Sequence, residues 1–266
     1  MVEIHPTACV DPGATLGEGV IIGQFCVVDG QVTLGAGTVL HSHVVVTGRT
    51  RIGARNQIYP FASIGHQPQD LKFGGEASEL IIGEDNVIRE YVTMNPGTSG
   101  GGMVTRVGDK CLFMMGAHVA HDCQVGNGVI MANYATFGGH VKVGDHSVIG
   151  GLSAVHQFVR IGPYAMIGGM SGVENDIIPY ALVMGNRARL SGLNIVGLRR
   201  SGFAREDIQM LKQVYDALFA DQLTLAERLD KIEIDFTANG LVGDVLSLVR
   251  ADSSRSLCQP KGLHGG

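Results

Sequence analysis

The chain has 266 residues, enough for one large domain or for a large domain with a small appendage, and Gly accounts for 39 of them. Its formal net charge of −5 argues against a basic protein that coats nucleic acid. Hydrophobic residues make up 45% of the chain, but aromatic residues only 6%, with no Trp. The core must therefore be built from small aliphatic side chains, which suits a regular stack better than an irregular globule.

The five Cys residues form an odd set without a CxxC pair, so neither a disulfide framework nor a zinc ribbon is indicated. Residues 1–6 (MVEIHP) lack the basic and apolar regions of a signal peptide. No run of about 18 apolar residues occurs, so no membrane insertion is expected. These features predict a cytoplasmic protein.

An aliphatic residue recurs at every sixth position from Ile4 onward, and the pattern continues to Val173 with one slip of register. Neither an α-helix nor a flat amphipathic strand has this period, whereas six-residue repeats are typical of a parallel β-helix. Three hexads close a triangular coil of 18 residues, with the aliphatic residue pointing inward and Gly or Asn at the corners. The sequence predicts a mainly β fold, a left-handed parallel β-helix over residues 1–187.

Two segments, 65–81 and 95–106, lack the six-residue pattern and are predicted to loop out of the β-helix, where binding residues tend to lie. Beyond residue 187 the pattern is helical, which predicts a small α-helical C-terminal domain over 188–266. Its helices are expected after Phe203, after a capping box at Thr224–Glu227 and over 241–248. The tail from Ser253 is expected to be frayed.

The 18-residue coil places residues 18 apart one above the other, about 4.8 Å apart. His121, Gly139 and Gln157 form one such column, and Asp122 begins the next. One patch is therefore predicted to contain six polar residues: His118, His121, Asp122, His140, His156 and Gln157.

Three chemistries could use this patch. Zinc binding is possible, as in γ-type carbonic anhydrases, but the His-x-x-His spacing does not match theirs. Nucleophilic catalysis is weakly supported, since Cys123 lies close without a clear elbow. General base catalysis uses every member: His121 accepts a proton, Asp122 orients it, and the Gly139 N–H binds an oxyanion.

Three stretches carry a specific resemblance: 117–123 (AHVAHDC), 138–141 (GGHV) and 155–158 (VHQF). Further matches are 69–72 (QDLK), 171–173 (SGV), 192–195 (GLNI) and 197–200 (GLRR). Together they resemble the UDP-N-acetylglucosamine O-acyltransferases that begin lipid A synthesis, a hexapeptide-repeat acyltransferase family. The resemblance runs from the N-terminus through the helical domain and weakens after about residue 235.

The resemblance implies transfer of a 3-hydroxyacyl chain from acyl carrier protein to the glucosamine 3-position of UDP-N-acetylglucosamine, with no cofactor and no metal. It implies His121 as general base, Asp122 as its support and Gly139 as oxyanion donor. The substrate-binding residues it implies are Asp70, Lys72, His118, His140, His156, Gln157, Asn194 and Arg200. It also implies that Gly169, with Met166, sets acyl-chain length, and that a homotrimer forms active sites between subunits.

Several positions depart from the family pattern. Asn95-Pro96 stands where His-Arg is frequent, Val196 where Glu is frequent and Ser201 where Arg is usual. An acceptor with an amine at sugar position 3 therefore remains an alternative, beside a γ-type carbonic anhydrase and a non-catalytic β-helix. Residues 177–205 contain five Arg and no Asp or Glu, which predicts attraction of an acidic partner or a diphosphate.

Overall fold

The computed structural model describes residues 1–236 and 240–261. Most of them wind through three sheets of 11, 9 and 8 strands, which we call faces A, B and C and which are parallel apart from the last strand of face A. The chain visits A, then B, then C in each coil, which confirms the predicted left-handed parallel β-helix.

Most strands have only two residues because the chain turns at a corner in every hexad. The strands of face A are Glu3–Ile4, Ile21–Ile22, Val39–Leu40, Gln57–Ile58, Val87–Ile88, Leu112–Phe113, Ile130–Met131, Val148–Ile149, Met166–Ile167, Ala181–Met184 and Arg189–Leu193. The strands of face B are Cys9–Val10, Val27–Val28, Val45–Val46, Ser63–Ile64, Thr93–Met94, His118–Val119, Thr136–Phe137, Ala154–Val155 and Gly172–Val173. The strands of face C are Thr15–Leu16, Thr33–Leu34, Arg49–Ile52, Glu79–Ile82, Val104–Val107, Gln124–Val125, Lys142–Val143 and Arg160–Ile161.

The 18-residue step is confirmed by the pairing register. His118 pairs with Thr136, which pairs with Ala154, and Leu112 pairs with Ile130 in the same parallel manner. Residues 18 apart are therefore vertical neighbours wherever no loop intervenes.

The interior contains a second inward position that the six-residue pattern did not predict. Two residues before each buried aliphatic side chain, a second side chain of equal or smaller size also points inward, as at Cys26 and Ala62. Several of these are polar and bond the backbone of the next coil; Thr38 Oγ1, for example, donates to the Gly53 carbonyl at 2.8 Å. Only the first coil, with Ile4 at 46% exposure, leaves its predicted core residues partly open.

The corners differ from the prediction of Gly or Asn. Among the described residues, more positive-φ positions carry another residue than carry Gly, and none carries Asn. The side chains at these corners stack on one another from coil to coil, as Phe61 does on Tyr91 at 5.2 Å between ring centroids. This stacking offsets the cost of the left-handed conformation, which is about 1–2 kcal/mol for such residues.

Both loops end earlier than predicted. Residues 79–81 and 104–106 belong to strands of face C, where Leu80 and Thr105 are buried, so the loops span about 65–78 and 95–103. These strand residues were missed because the six-residue pattern marks only Ile82 and Val107, whereas Leu80 and Thr105 belong to the second inward position.

The C-terminal region also differs in its limits. An antiparallel hairpin, Ala181–Met184 with Arg189–Leu193, extends face A across the predicted boundary at residue 187. In the described part of the chain four helices follow: α1 (Ile195–Arg200), α2 (Arg205–Leu218), α3 (Leu225–Asp235) and α4 (Gly240–Arg250). The capping box at Thr224 and Glu227 is confirmed, whereas α1 was not predicted. Within residues 1–236 and 240–261, no helix is long and apolar enough to cross a bilayer.

The tail is not frayed where it is described. Cys258 is buried, and its N–H donates to the Asp176 carbonyl at 2.8 Å. The Leu190 N–H donates to the Gln259 carbonyl. Residues 256–260 therefore pack against the last coils as an extended segment.

Candidate active site

His121 and Asp122 are consecutive corner residues on the edge between faces B and C, which we call the BC edge. Asp122 has a φ of 60°, so both side chains project outward although they are adjacent in sequence. His121 Nδ1 lies 2.9 Å from Asp122 Oδ2. The His121 side chain is 14% exposed and the Asp122 side chain is fully buried.

The buried Asp122 carboxylate is satisfied by the second loop. The Thr98 N–H lies 3.0 and 3.1 Å from its two oxygens, and the Thr98 hydroxyl donates to Oδ2 at 2.6 Å. The Asp122 N–H in turn donates to Thr105 Oγ1 at 2.7 Å. A buried carboxylate without such donors would be strongly destabilising. Neither Thr98 nor Thr105 was predicted from the sequence.

Gly139 lies one coil above His121, as the 18-residue step predicts. A methyl group added at Gly139 would lie 2.4 Å from His121 Cε1 and 2.5 Å from Nε2, so only Gly fits beside the imidazole. No described group accepts a hydrogen bond from the Gly139 N–H. A free donor thus lies on the coil next to the imidazole.

Two further histidines flank His121. The His140 ring is edge-on to His121 with centroids 5.0 Å apart, and it stacks on Phe158 at 4.3 Å. His118 Nδ1 lies 2.7 Å from Thr93 Oγ1. Burial, and secondarily the nearby His121, lowers the pKa of His118. Burial is also the main cause of the lowered pKa of His140, which the negative charge of Asp122 partly opposes.

The arrangement defines the tautomer of His121. Because Asp122 accepts from Nδ1, the hydrogen is on Nδ1, and Nε2 is left with a lone pair. Nε2 can therefore accept a proton from a hydroxyl placed between it and the Gly139 N–H. The dyad has the geometry of a general base beside an oxyanion donor.

The two other chemistries gain less support. The ligand atoms of His121, Asp122 and His140 lie within 4.8 Å of one another, a spacing that a metal ion could bridge. However, Asp122 Oδ2 already accepts from both Thr98 and His121, so a metal would have to displace these donors. Cys123 is fully buried inside the β-helix, and burial raises the pKa of its thiol to about 12, which disfavours a nucleophilic thiolate.

Comparison with known proteins identifies the family. A model described as domain 2 of UDP-N-acetylglucosamine O-acyltransferase matches residues 176–258, and a bacterial transferase hexapeptide model matches 13–48 and 105–139. The chain is 48% identical over 257 residues to the acyl-[acyl-carrier-protein]–UDP-N-acetylglucosamine O-acyltransferase of Myxococcus xanthus, which covers 97% of this chain and 99% of that protein. The chain belongs to the UDP-N-acetylglucosamine O-acyltransferase family.

Other members of this family are similar to the chain in sequence and in structure. The Paracoccus denitrificans protein of the same name is 53% identical over 208 residues, which is 76% of this chain and 77% of that protein. The solved structure of LpxA from Acinetobacter baumannii is 42% identical and superposes with a TM-score of 0.93, covering 96% of this chain and 99% of that chain.

His156 and Gln157 lie two coils above the His121–Asp122 dyad, where the C-terminal segment holds them. Arg255 Nη2 lies 2.5 Å from His156 Nδ1, and Arg255 Nε donates to the Gln157 carbonyl at 3.0 Å. Neither residue bonds the dyad directly. Arg255 was missed because it lies in the tail that was predicted to be frayed, about 100 residues away in sequence.

The first loop approaches the dyad from the other side. Asp70 Oδ1 accepts from the Lys72 N–H at 3.0 Å, and the charge of Asp70 also acts on His140. The Lys72 side chain is exposed. The loops are tied together, since Glu76 Oε1 accepts from the Ser99 N–H at 2.8 Å.

Asn95, one of the departures from the family pattern, also joins the loops. Its side-chain amide donates to the carbonyls of His66 and Gln67 at 2.9 and 3.3 Å, and the residue is 5% exposed. Asn95 is thus engaged in holding the base of the first loop rather than pointing into the cleft.

The remaining predicted residues lie on other edges of the same chain. Asn194 caps α1 through the Gly197 N–H and donates to the Tyr164 carbonyl at 3.0 Å, on the edge between faces C and A. Arg200 is exposed in the last turn of α1. Gly169 is exposed at the edge between faces A and B, just after Met166 on face A. A single chain therefore does not bring these four to His121.

Proposed function

We propose that the protein transfers a 3-hydroxyacyl chain from acyl carrier protein to the 3-hydroxyl of the glucosamine in UDP-N-acetylglucosamine, the first step of lipid A biosynthesis. The observation that carries this proposal is the His121–Asp122 dyad beside the unbonded Gly139 N–H. Family membership supports the substrates, because the relatives are named for acyl-[acyl-carrier-protein] and UDP-N-acetylglucosamine.

In this reaction His121 Nε2 takes the proton of the sugar hydroxyl as its oxygen attacks the thioester carbonyl carbon. The new C–O bond leaves a tetrahedral oxyanion, which accepts from the Gly139 N–H. The C–S bond then breaks, and the leaving thiolate takes the proton from the His121 imidazolium, which Asp122 stabilises. Protons and electron pairs balance without a cofactor.

Substrate contacts are assigned around the dyad. His118 and His140 border it, and their lowered pKa values keep them neutral near pH 7, suited to hydrogen-bonding a sugar or a thioester. Asp70 and Lys72 on the first loop complete the sugar side. His156 and Gln157, two coils above the dyad, extend the site in the direction of the C-terminal domain.

A homotrimer is supported by the edge between faces A and B, which we call the AB edge. Its corner column carries exposed apolar side chains over most of the length of the β-helix: Phe25, Phe61, Tyr91, Tyr134, Leu152 and Met170. Face A also points aliphatic residues outward, whereas the outward residues of face C include Arg51, Arg106 and Lys142. Large exposed apolar strips mark interaction surfaces.

Three chains with their AB edges at a threefold axis would cover this strip. Face A of one subunit would then meet face B of the next, and the edge between faces C and A of the first would reach the BC edge of the second. This arrangement would bring Asn194 and Arg200 of one subunit to the His121 of its neighbour. The acyl chain would run between the subunits toward the AB edge, where Gly169 and Met166 would limit its length.

The arginines of residues 177–205 support an acidic partner. Arg187 lies 3.6 Å from Glu174, but Arg189, Arg199, Arg200 and Arg205 form no ion pair with a described residue. Unpaired cations would attract acyl carrier protein or the diphosphate. A cytoplasmic location is part of this proposal, because the reaction uses acyl carrier protein and a nucleotide sugar.

The test offers 3-hydroxyacyl carrier proteins of several lengths together with UDP-N-acetylglucosamine, to wild type and to His121→Ala. Wild type should form the 3-O-acyl product, and the variant should lose at least about 1,000-fold in kcat, because no other group replaces the base. The His5→Ala variant, changed on the first coil, controls for the loss of an imidazole. Absence of product with wild type, or undiminished turnover by His121→Ala, would overturn the proposal.

A further inference from the structure

The second loop closes tightly over Asp122. A methyl group added at Gly101 would lie between 2.0 and 2.4 Å from the Asp122 carboxylate atoms, and one at Gly97 would lie 2.8 Å from Oδ1. The loop backbone therefore lies directly against the carboxylate. Thr98, between these two glycines, is only 4% exposed, so its side chain is not available to a ligand in the cleft.

Thr98 supplies the donors that fix the carboxylate in place. Its N–H spans both oxygens, which defines the plane of the carboxylate, and its hydroxyl donates at 2.6 Å to Oδ2. Oδ2 is the same oxygen that accepts from His121 Nδ1. Hydrogen bonds to an ionised acceptor are the stronger and more directional ones.

Thr98 is itself held by the loop. Its carbonyl accepts from the N–H groups of Gly101 and Met103 at 3.1 and 3.0 Å, which closes a tight turn. The Gly97 N–H donates to the Glu79 carbonyl at 3.2 Å, which ties the turn to face C. The hydroxyl therefore has a defined position relative to Asp122.

We infer that Thr98 is a positioning residue for the proposed reaction: its hydroxyl holds the Asp122 carboxylate aimed at His121. The inference rests on the proposed function only for its kinetic readout. Thr98 touches no reacting atom and acts through Asp122. It is a residue that neither the His-x-x-His-Asp motif nor the 18-residue columns indicated.

The direction of the effect on proton affinity follows from the shared oxygen. When the imidazole is neutral, the carboxylate keeps its full negative charge, and a hydrogen bond donated to Oδ2 is strong. When the imidazole is protonated, its positive charge already neutralises the carboxylate, so the same hydrogen bond stabilises the dyad less. Removing the hydroxyl therefore makes the dyad bind its proton more tightly. The other titratable groups facing His121 are His140 and His118, with Asp70 acting on His140 from the first loop.

The experiment compares Thr98→Val, which keeps the N–H and the shape, with Thr98→Ser, which keeps the hydroxyl. Thr98→Val should lower kcat about 10- to 100-fold with the KM for UDP-N-acetylglucosamine changed less than about threefold, and it should move the acid limb of kcat/KM to higher pH. Thr98→Ser should remain within about threefold of wild type in kcat. If Thr98→Val is not recovered folded, Thr98→Ala serves as the second variant without a hydroxyl.

A double-mutant cycle separates positioning from general structural damage. In an Asp122→Asn background, Thr98→Val should cost less than about threefold further, because the carboxylate through which it acts is gone. Thr38→Val is the matched control: Thr38 is a buried Thr whose hydroxyl also donates, but to the Gly53 carbonyl. It should lower stability without moving the acid limb.

A readout independent of turnover keeps the two proposals apart. The His121 ring is titrated by NMR with ¹³C-labelled histidine, assigned with His121→Gln, in wild type and Thr98→Val. A higher midpoint in Thr98→Val supports the inference even if wild type shows no acyl transfer, in which case only the proposed function fails. An unchanged midpoint together with unchanged kcat, or a Thr98→Ser variant as impaired as Thr98→Val, would overturn it.

Discussion

The AB edge and the BC edge are made by the same backbone and carry opposite chemistry. At both, the second corner residue adopts a positive φ and its side chain projects outward, as at Leu152 and at His140. At both, stacked rings link successive coils, with centroids 5.2 Å apart for Phe61 and Tyr91 and 4.3 Å for His140 and Phe158. The backbone thus provides equivalent corner positions on both edges, and the side chains determine whether an edge is apolar or reactive.

The two edges differ in what surrounds the corner. On the AB edge the side chains are left open, with Leu152 at 62% and Met170 at 73% exposure, and no loop covers them. On the BC edge the second loop covers Asp122, whose side chain is fully buried. A β-helix gains a reactive site where a loop shields a polar corner from water, and it gains an interface where apolar corners stay uncovered.

The largest expected effect tests the apolar edge. Leu152→Asp changes an exposed residue, so the isolated chain should fold nearly as well as wild type. In the proposed trimer three aspartates would lie near the threefold axis without cations to pair with them. The assembly should therefore dissociate, and activity per chain should fall about 100-fold. Light scattering coupled to size exclusion reports the mass.

The control for this change is Ile234→Asp in α3, since Ile234 is 73% exposed and lies away from the AB edge. It should leave both mass and activity unaltered. A Leu152→Asp protein with the mass and turnover of wild type would show that the apolar column is not an interface.

How much the sequence could predict differs between the columns and the loops. Ile22 and its successors, and the meeting of His121 with Gly139, follow from a strict period, since stacking converts spacing into contact. Thr98 meets Asp122 across 24 residues, which is no multiple of 18 because a loop intervenes. Arg255 reaches Gln157 across 98 residues, and no period connects the two.

The residue types at the corners and the second inward position could not be predicted, for a different reason. Corner residues such as Tyr134 are stabilised by neighbours one coil away, so their local propensity is overruled by stacking. The inner series mixes Cys26, Asn56 and Ser147, whose common property is small volume with a carbonyl to bond. A search for hydrophobic residues does not detect such a series.

The next expected effect is a change in the preferred length of the acyl donor. It tests whether the acyl chain reaches the AB edge. The nearest atom to a methyl group added at Gly169 is the Gly151 carbonyl oxygen, at 3.3 Å, so Gly169→Met should fold. Its side chain would fill the space open to the far end of the acyl chain. Because each buried methylene contributes about 0.8 kcal/mol, losing room for two should shift kcat/KM about tenfold toward shorter donors.

The measurement is competition between carrier proteins that bear long and short 3-hydroxyacyl chains. Gly243→Met in α4, where an added methyl group meets no atom within 4 Å, provides the control and should keep the preference of wild type. If Gly169→Met retains the original length profile, the chain does not extend to the AB edge, and Gly169 is not a ruler.

The smallest expected effect comes from the burial of His118, which lies on face B beside the BC edge. Burial lowers the pKa of His118 below its ordinary value near 6.5, so the unfolded chain binds a proton there more readily than the folded one. Stability is therefore full above about pH 6.5 and is lost as the pH falls from there through the folded pKa. His118→Asn, whose side-chain amide can still bond Thr93, removes this titration. Urea unfolding at one protein concentration should show wild type losing more stability than His118→Asn between pH 8 and 5.5. Equal losses in the two proteins would mean that the loops leave this imidazole as accessible to water as an open corner, and the contrast between the two edges would then rest on charge alone.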